Sequence, residues 1–126
     1  MSNDSKSIKR LLRQWMTEAY ERELHRELAR LGQSFDQWRE GKISSGELSQ
    51  RVHQYEAGAS RELYKHYNYS PYEMTVAYAV VAGILQREEL PTELLEAIER
   101  QAAFFQSLKD NNELREPGHY PQRDGT

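Results

Sequence analysis

A glycine turn followed by a helix-capping signature constrains this chain more than any other feature. Gly41 offers the left-handed backbone conformation at which helices commonly end. Ser44 and Glu47 have the spacing of the N-cap and N3 residues of a capping box, and Ile43 and Leu48 have the spacing of a hydrophobic staple. The segment therefore predicts that one helix ends here and that the next begins directly afterwards.

Apolar residues recur every three or four positions on both sides of this turn, as one face of a helix requires. The stripe before the turn contains Tyr20, Leu24, Leu28, Leu31, Phe35 and Trp38, and the stripe after it contains Leu48, Val52, Tyr55, Ala59 and Leu63. A regular antiparallel hairpin lays the two stripes against each other, with Leu28 opposite Tyr55. The same register places Tyr20 opposite Leu63.

The whole pattern predicts an all-α fold, a four-helix up-down bundle with a long N-terminal helix. The predicted helices cover about residues 5–40, 44–67, 71–87 and 91–109. Ser70, Pro71 and Glu73 repeat the helix-start signal before the third helix, which is apolar nearly all round and therefore central. Mixed charges at helical spacing, among them Glu23 and Glu27, predict the solvated face of the first helix.

Length and composition predict one domain, with the bundle over residues 1–109 and a disordered, polar tail over 110–126. The net charge of −3 gives no overall basic field that would draw the chain to nucleic acid or to an anionic membrane. The chain has no cysteine, which excludes disulfides and thiolate zinc sites. With no signal-peptide pattern and no apolar run of membrane-spanning length, we expect a cytoplasmic protein.

The length of the first helix predicts an interface. It exceeds the shorter helices that must cover it, so part of its apolar stripe is left without an internal partner, and such patches commonly mark contact surfaces. Tyrosines crowd around the second turn and are also typical of interfaces. We therefore expect an interaction or regulatory protein that acts as a homodimer or with a protein partner. The predicted interface residues are Trp15, Met16, Tyr20, Tyr69 and Tyr72.

The segment RELYKH, from Arg61 to His66, has the Arg-x4-His spacing. This motif resembles that of HEPN-domain ribonucleases, which are all-helical proteins of about this length that act as dimers. The resemblance implies that Arg61 stabilises phosphate charge and that His66 assists proton transfer in metal-independent cleavage of RNA. Glu62 departs from the Asn, Asp or His that is typical of the family, and on a continuous helix the two catalytic side chains point about 140° apart. A ribonuclease with RNA as its partner is therefore the alternative function.

The segment 38–67 also resembles a segment of small uncharacterised bacterial all-helical proteins. The likeness rests on the patterns WRxGxIS, ELx4HxY and RELYKxY. It implies a bacterial source and adds no mechanism.

No cofactor or metal site is predicted. His53 with Glu56 and Glu21 with His25 lack the order and spacing of the Glu-x-x-His pairs of di-iron bundles. Trp38 occupies a position that needs an oxygen ligand in the calcium-loop-like stretch around the turn.

Overall fold

The computed structural model describes the backbone of residues 2–120 and the side chains of residues 5–120. Its helices are α1 (Ser2–Arg39), α2 (Ser45–Tyr55), α3 (Arg61–Tyr69), α4 (Tyr72–Val81), α5 (Thr92–Ala97) and α6 (Glu99–Asp110). A π-helical segment (Glu56–Ser60) joins α2 to α3, and a 3-10 turn (Arg87–Glu89) precedes α5. No residue from 2 to 120 lies in a strand, so the predicted all-α fold with a long N-terminal helix is confirmed.

The predicted turn is present. Gly41 has a φ of 77°, and its N–H donates to the carbonyl of Trp38 at 3.0 Å. The Ser44 hydroxyl accepts from the Glu47 N–H at 3.0 Å and so caps α2. The Glu47 carboxylate does not complete the capping box but pairs with Arg51 at 2.6 Å. Local backbone requirements thus fix the place where α1 ends and the chain reverses.

The chain from residue 45 to residue 69 is one uninterrupted helical rod that runs antiparallel to α1. Its centre is the π segment, which contains Ala57-Gly58-Ala59-Ser60. Tyr55 and Arg61 on either side keep right-handed helical backbone angles, so the rod does not break there. A π turn accommodates one residue more than an α turn.

The buried face of α1 differs from the predicted one. Leu28, the predicted partner of Tyr55, is 46% exposed, whereas Glu23 and Glu27 are only 3% and 6% exposed. Since Glu27 precedes Leu28 by one residue, the buried face is turned by about 100° from the apolar stripe. The predicted solvated position of the two glutamates is therefore wrong.

The reason for this rotation lies in the first half of α1. Leu12 and Ala19 are buried in the core, and a rigid helix then carries the positions four and eight residues after Ala19 to the same buried side. The predicted pairing of Tyr20 shifts too, because its ring stacks on Tyr67 with centroids 5.0 Å apart. Tyr67 lies one turn beyond Leu63, the predicted partner.

The core is built around α4, as its apolar sequence predicts. Val76, Ala77 and Ala79 are completely buried, and α4 packs between α1 and α6. The core side chains from the other helices include Leu63, Leu85, Leu94, Ile98 and Ala102.

The third helix ends six residues before its predicted end. Gly83 has a φ of 85°, its N–H donates to the Val80 carbonyl, and the Ile84 N–H donates to the Ala79 carbonyl at 2.9 Å. These are the hydrogen bonds of a Schellman C-cap. The predicted fourth helix is also divided, because Ile98 between α5 and α6 leaves the helical region at φ −106° and ψ 11°.

Arg22 fixes the chain that follows α4 to the side of α1. Its guanidinium donates to the Ile84 carbonyl at 3.0 Å and to both Glu89 carboxylate oxygens at 2.6 and 2.9 Å. These bonds lower the pKa of Glu89 to about 2. A long-range ion pair therefore replaces the helix that the sequence predicts between residues 82 and 87.

Gly83→Ala is expected to lower the free energy of unfolding by about 1–2 kcal/mol, the cost of a left-handed conformation for a residue with a Cβ. An added Cβ meets nothing within 4 Å, so the backbone angle alone accounts for the loss. Urea unfolding measures it. Gly46→Ala in α2 is the control and should stabilise by up to about 1 kcal/mol, because Gly46 has ordinary helical geometry. Effects of the same sign at both glycines would contradict the assignment.

Residues 111–120 pack back onto the bundle, although they belong to the predicted disordered tail. Leu114 lies against the core, and the Tyr78 hydroxyl donates to the Arg115 carbonyl at 2.7 Å. The Arg115 guanidinium lies between the rings of Tyr78 and Tyr120, 4.9 and 5.1 Å from their centroids. The rest of the predicted tail, residues 121–126, lies outside the described residues.

Candidate functional site

An exposed apolar surface lies along α1 and α3. We call it the outer face and define it by Tyr20, Leu28, Tyr64 and Tyr69. Tyr64 and Tyr69 are 51% and 73% exposed, and their rings meet edge to face at 5.9 Å. Tyr20 lies at the border, where partial burial, followed by the nearby hydroxyls of Tyr55 and Tyr64, raises its pKa. Aromatic side chains with an apolar body and a polar tip suit a contact surface.

The α1 part of the outer face has room for another helix. Leu24 is half-buried, Leu28 protrudes, and Gly32 lies one turn further along the same side. A Cβ added at Gly32 would meet nothing within 4 Å. A large side chain from a neighbouring helix could therefore occupy this position.

The five predicted interface residues are not equally accessible. Trp15, Met16, Tyr20 and Tyr72 are half-buried and pack against the core, so they contribute to the fold. The Trp15 indole N–H is buried and has no hydrogen-bond partner among residues 5–120. Tyr69, at 73%, is the exposed member of the five.

A buried polar cluster joins α1, α3 and the C-terminal segment. Glu23 accepts hydrogen bonds from the hydroxyls of Tyr67 at 2.6 Å and of Tyr120 at 3.3 Å, and Arg115 lies 3.7 Å away. Burial and the adjacent Glu23 charge raise the pKa of Tyr67, and they raise that of Tyr120 to about 12. Both tyrosines therefore remain hydrogen-bond donors at neutral pH.

The predicted catalytic pair occupies two different environments. Arg61 is exposed at the start of α3, whereas His66 packs edge-on against Tyr67 and Tyr78. Burial, and secondarily the charge of Arg115, lowers the pKa of His66 to about 4, so its ring is neutral at pH 7. Its Nε2 atom has no hydrogen-bond partner among residues 5–120.

A small cavity of about 280 Å³ lies beside His66. Lys65 and Arg115 supply cations to its wall, and Arg61 is not among the residues that line it. The ribonuclease alternative, which needs Arg61 and His66 in one cleft, stays a prediction.

Sequence reasoning missed the two buried glutamates and the exposure of Leu28. Glu23 and Glu27 follow Ala19 at intervals of four, but glutamates at this spacing are ordinary on a solvated helix face. The small side chain of Ala19 was the one local indication of a closely packed face. It gave no sign of the tyrosine that meets Glu23 from α3.

Two further observations concern membrane-spanning helices and metal-ligating groups. Among residues 2–120, no helix combines the length and the apolar character that spanning a bilayer requires. The same part of the chain brings together no group of three or more metal-ligating side chains.

Comparison with protein-family models, with curated proteins and with solved structures gives no match to this chain.

Proposed function

We propose that this protein is an interaction protein that works as a homodimer joined through the outer face. The observation that carries the proposal is the inversion on α1, where carboxylates are buried inside the chain and Leu28 of the apolar stripe faces outward. The buried Glu27 carboxylate, whose Oε2 lacks a hydrogen-bond partner among residues 5–120, is costly, and the exposed Leu28, Tyr64 and Tyr69 leave apolar surface in contact with water. Covering the outer face with a second chain offsets this cost.

A second copy of α1 is the occupant that fits this surface. In an antiparallel pair related by a two-fold axis at Leu28, the two Leu28 side chains meet, and Leu24 of each copy faces Gly32 of the other. A large side chain then enters the open space at a glycine, as helix packing favours. Tyr64, which lies near Tyr20, and Tyr69 add exposed aromatic surface on α3. A net charge of −3 gives little repulsion between copies.

Light scattering is expected to give about twice the chain mass of 14.8 kDa. Leu28→Glu should shift the protein to monomer by weakening the dimer about 100-fold or more, because two unpaired carboxylates would be buried at the centre. Leu28 is already 46% exposed, so the fold should survive the change, which circular dichroism can verify. Trp15→Glu is a poorer test, since Trp15 packs against the core.

Phe104→Glu is the matched control. Phe104 is 53% exposed on α6, so the same chemical change is made at an exposed apolar residue outside the outer face. Its oligomeric state should equal that of the wild type. A wild-type monomer, or a Leu28→Glu protein that remains dimeric, would contradict the proposal. Dissociation by Phe104→Glu but not by Leu28→Glu would indicate that the interface lies on α6 instead.

A further inference from the structure

A cavity of about 390 Å³ opens beside the π segment, between α1 and the rod. Its wall includes Glu27 and Arg30 from α1 and Tyr55 and Gly58 from the rod. Gly58 has no side chain and its neighbours are alanines, so the π segment leaves this space unfilled. The volume lies in the range of small-molecule sites, about 300–1,000 Å³, and π turns occur frequently at functional sites.

Glu27 is a buried carboxylate with too few partners. Its Oε1 lies 3.6 Å from Nη1 of Arg30, longer than the 2.7–2.9 Å or so of a charge-assisted hydrogen bond. Its Oε2 has no hydrogen-bond partner among residues 5–120. A buried ionised carboxylate is costly unless donors satisfy it. Glu27 also lines the cavity, so a bound cationic N–H group can supply a donor that this carboxylate lacks.

The two cationic residues that line the cavity, Arg51 and Arg30, differ in how firmly they are already paired. Arg51 is already paired with Glu47 at 2.6 Å and also donates to Gln37 at 2.8 Å. The Arg30 side chain is 57% exposed and its contact with Glu27 is loose, so it can swing to meet an incoming anion. Leu31, Tyr55 and Ala59 contribute apolar surface to the wall, and Gly118 and Tyr120 of the C-terminal segment also line it.

We propose that this cavity binds a free α-amino acid with an apolar side chain. The ammonium group donates to Glu27, the carboxylate accepts from Arg30, and the side chain lies against Leu31 and Tyr55. A zwitterion pairs with both Glu27 and Arg30 at once, whereas a simple cation or a simple anion leaves one of these two residues without a partner. This binding function goes beyond dimer formation and does not depend on it.

Calorimetric titration of the full chain with L-phenylalanine and with L-leucine tests the proposal. Phenethylamine, which lacks the carboxylate, and 3-phenylpropionate, which lacks the ammonium, should each bind about tenfold or more weaker than phenylalanine, the equivalent of one hydrogen bond to a charged group. Glu27→Gln should weaken phenylalanine and phenethylamine by a similar factor and leave 3-phenylpropionate unchanged. Arg30→Gln should weaken phenylalanine and 3-phenylpropionate and leave phenethylamine unchanged.

Glu21→Gln is the matched control, because Glu21 is an exposed acid on the same helix. The affinity of the Glu21→Gln protein for phenylalanine should equal that of the wild type. Absence of binding by both amino acids at about 10 mM, a concentration that detects even weak millimolar sites, would overturn the proposal. So would equal losses in Glu21→Gln and Glu27→Gln. If Glu27→Gln fails to fold, the Arg30→Gln arm decides, since Arg30 is largely exposed. Leu28→Glu should bind phenylalanine as the wild type does, so failure of the dimer and failure of this site are distinguishable.

Discussion

Replacing Glu23 with alanine is expected to lower the free energy of unfolding by about 3 kcal/mol, a large fraction of the stability of a domain of this size. Glu23 accepts from the buried Tyr67 hydroxyl at 2.6 Å and also holds Tyr120 and Arg115. Its removal leaves a buried hydroxyl without an acceptor, and it also leaves a cavity in a packed region. The contacts that attach residues 111–120 to α1 are lost at the same time.

Urea unfolding of wild type and Glu23→Ala measures this loss. Glu21→Ala is the control, because Glu21 is an exposed glutamate of the same helix in a loose pair with His25, and it should change stability by no more than about 0.5 kcal/mol. Hydrogen exchange should also show faster exchange in residues 111–120 of Glu23→Ala. Equal stability of the two variants would indicate that Glu23 lies on the solvated face, and it would contradict the observed packing of α1.

The second large effect is a loss of stability in mild acid, caused by His66. Burial lowers the pKa of His66 from its ordinary 6.5 to about 4, so the folded protein disfavours the charged ring. Between these values the unfolded chain binds more protons than the folded one. The contribution of His66 is therefore complete above about pH 6.5 and is lost as the pH falls toward 4, by up to about 3 kcal/mol.

The free energy of unfolding of wild type and of His66→Gln, measured at pH 7 and at pH 4.5, tests this effect. The carboxylates titrate in both proteins, so the difference between the two proteins reports the contribution of His66. The wild type should lose more stability than His66→Gln over this interval. His53→Gln, at an exposed position of α2, should keep the pH dependence of the wild type. A His66→Gln protein with the same pH dependence as the wild type would show that His66 is not protonated at a cost to the fold.

The sequence predicts the features of this fold that depend on neighbouring residues. The turn follows from Gly41 and from the Ser44 cap, both of which act within a few positions. Gly83 offers the same local signal, but it stands in an apolar run whose helical pattern hides the end of α4. A glycine followed by apolar residues is therefore ambiguous until the next helix is placed.

The buried face of α1 depends on residues that are distant in the sequence. The partner of Glu23 is Tyr67, 44 positions away, and Arg22 meets Glu89 at a separation of 67. Periodicity detects apolar faces, so it assigns a stripe of glutamates to solvent whether or not a tyrosine covers it. The cavity at Glu27 and the packing of Arg115 and Tyr120 could not be predicted for the same reason.

The π segment also sets the phase of the rod. Arg51 in α2 and Tyr67 in α3 both reach α1, where they bond Ser34 and Glu23. Tyr67 follows Arg51 by 16 residues, so in an unbroken α-helix their side chains would point about 160° apart. The π turn takes up one of these residues without rotating the helix further, which reduces the angle to about 60°. Deleting a single residue between positions 56 and 60 would leave a regular α-helix with the same angle of about 60°, so the α3 tyrosine would still face its carboxylate. The π turn thus absorbs one surplus residue and keeps α2 and α3 facing the same neighbouring helix.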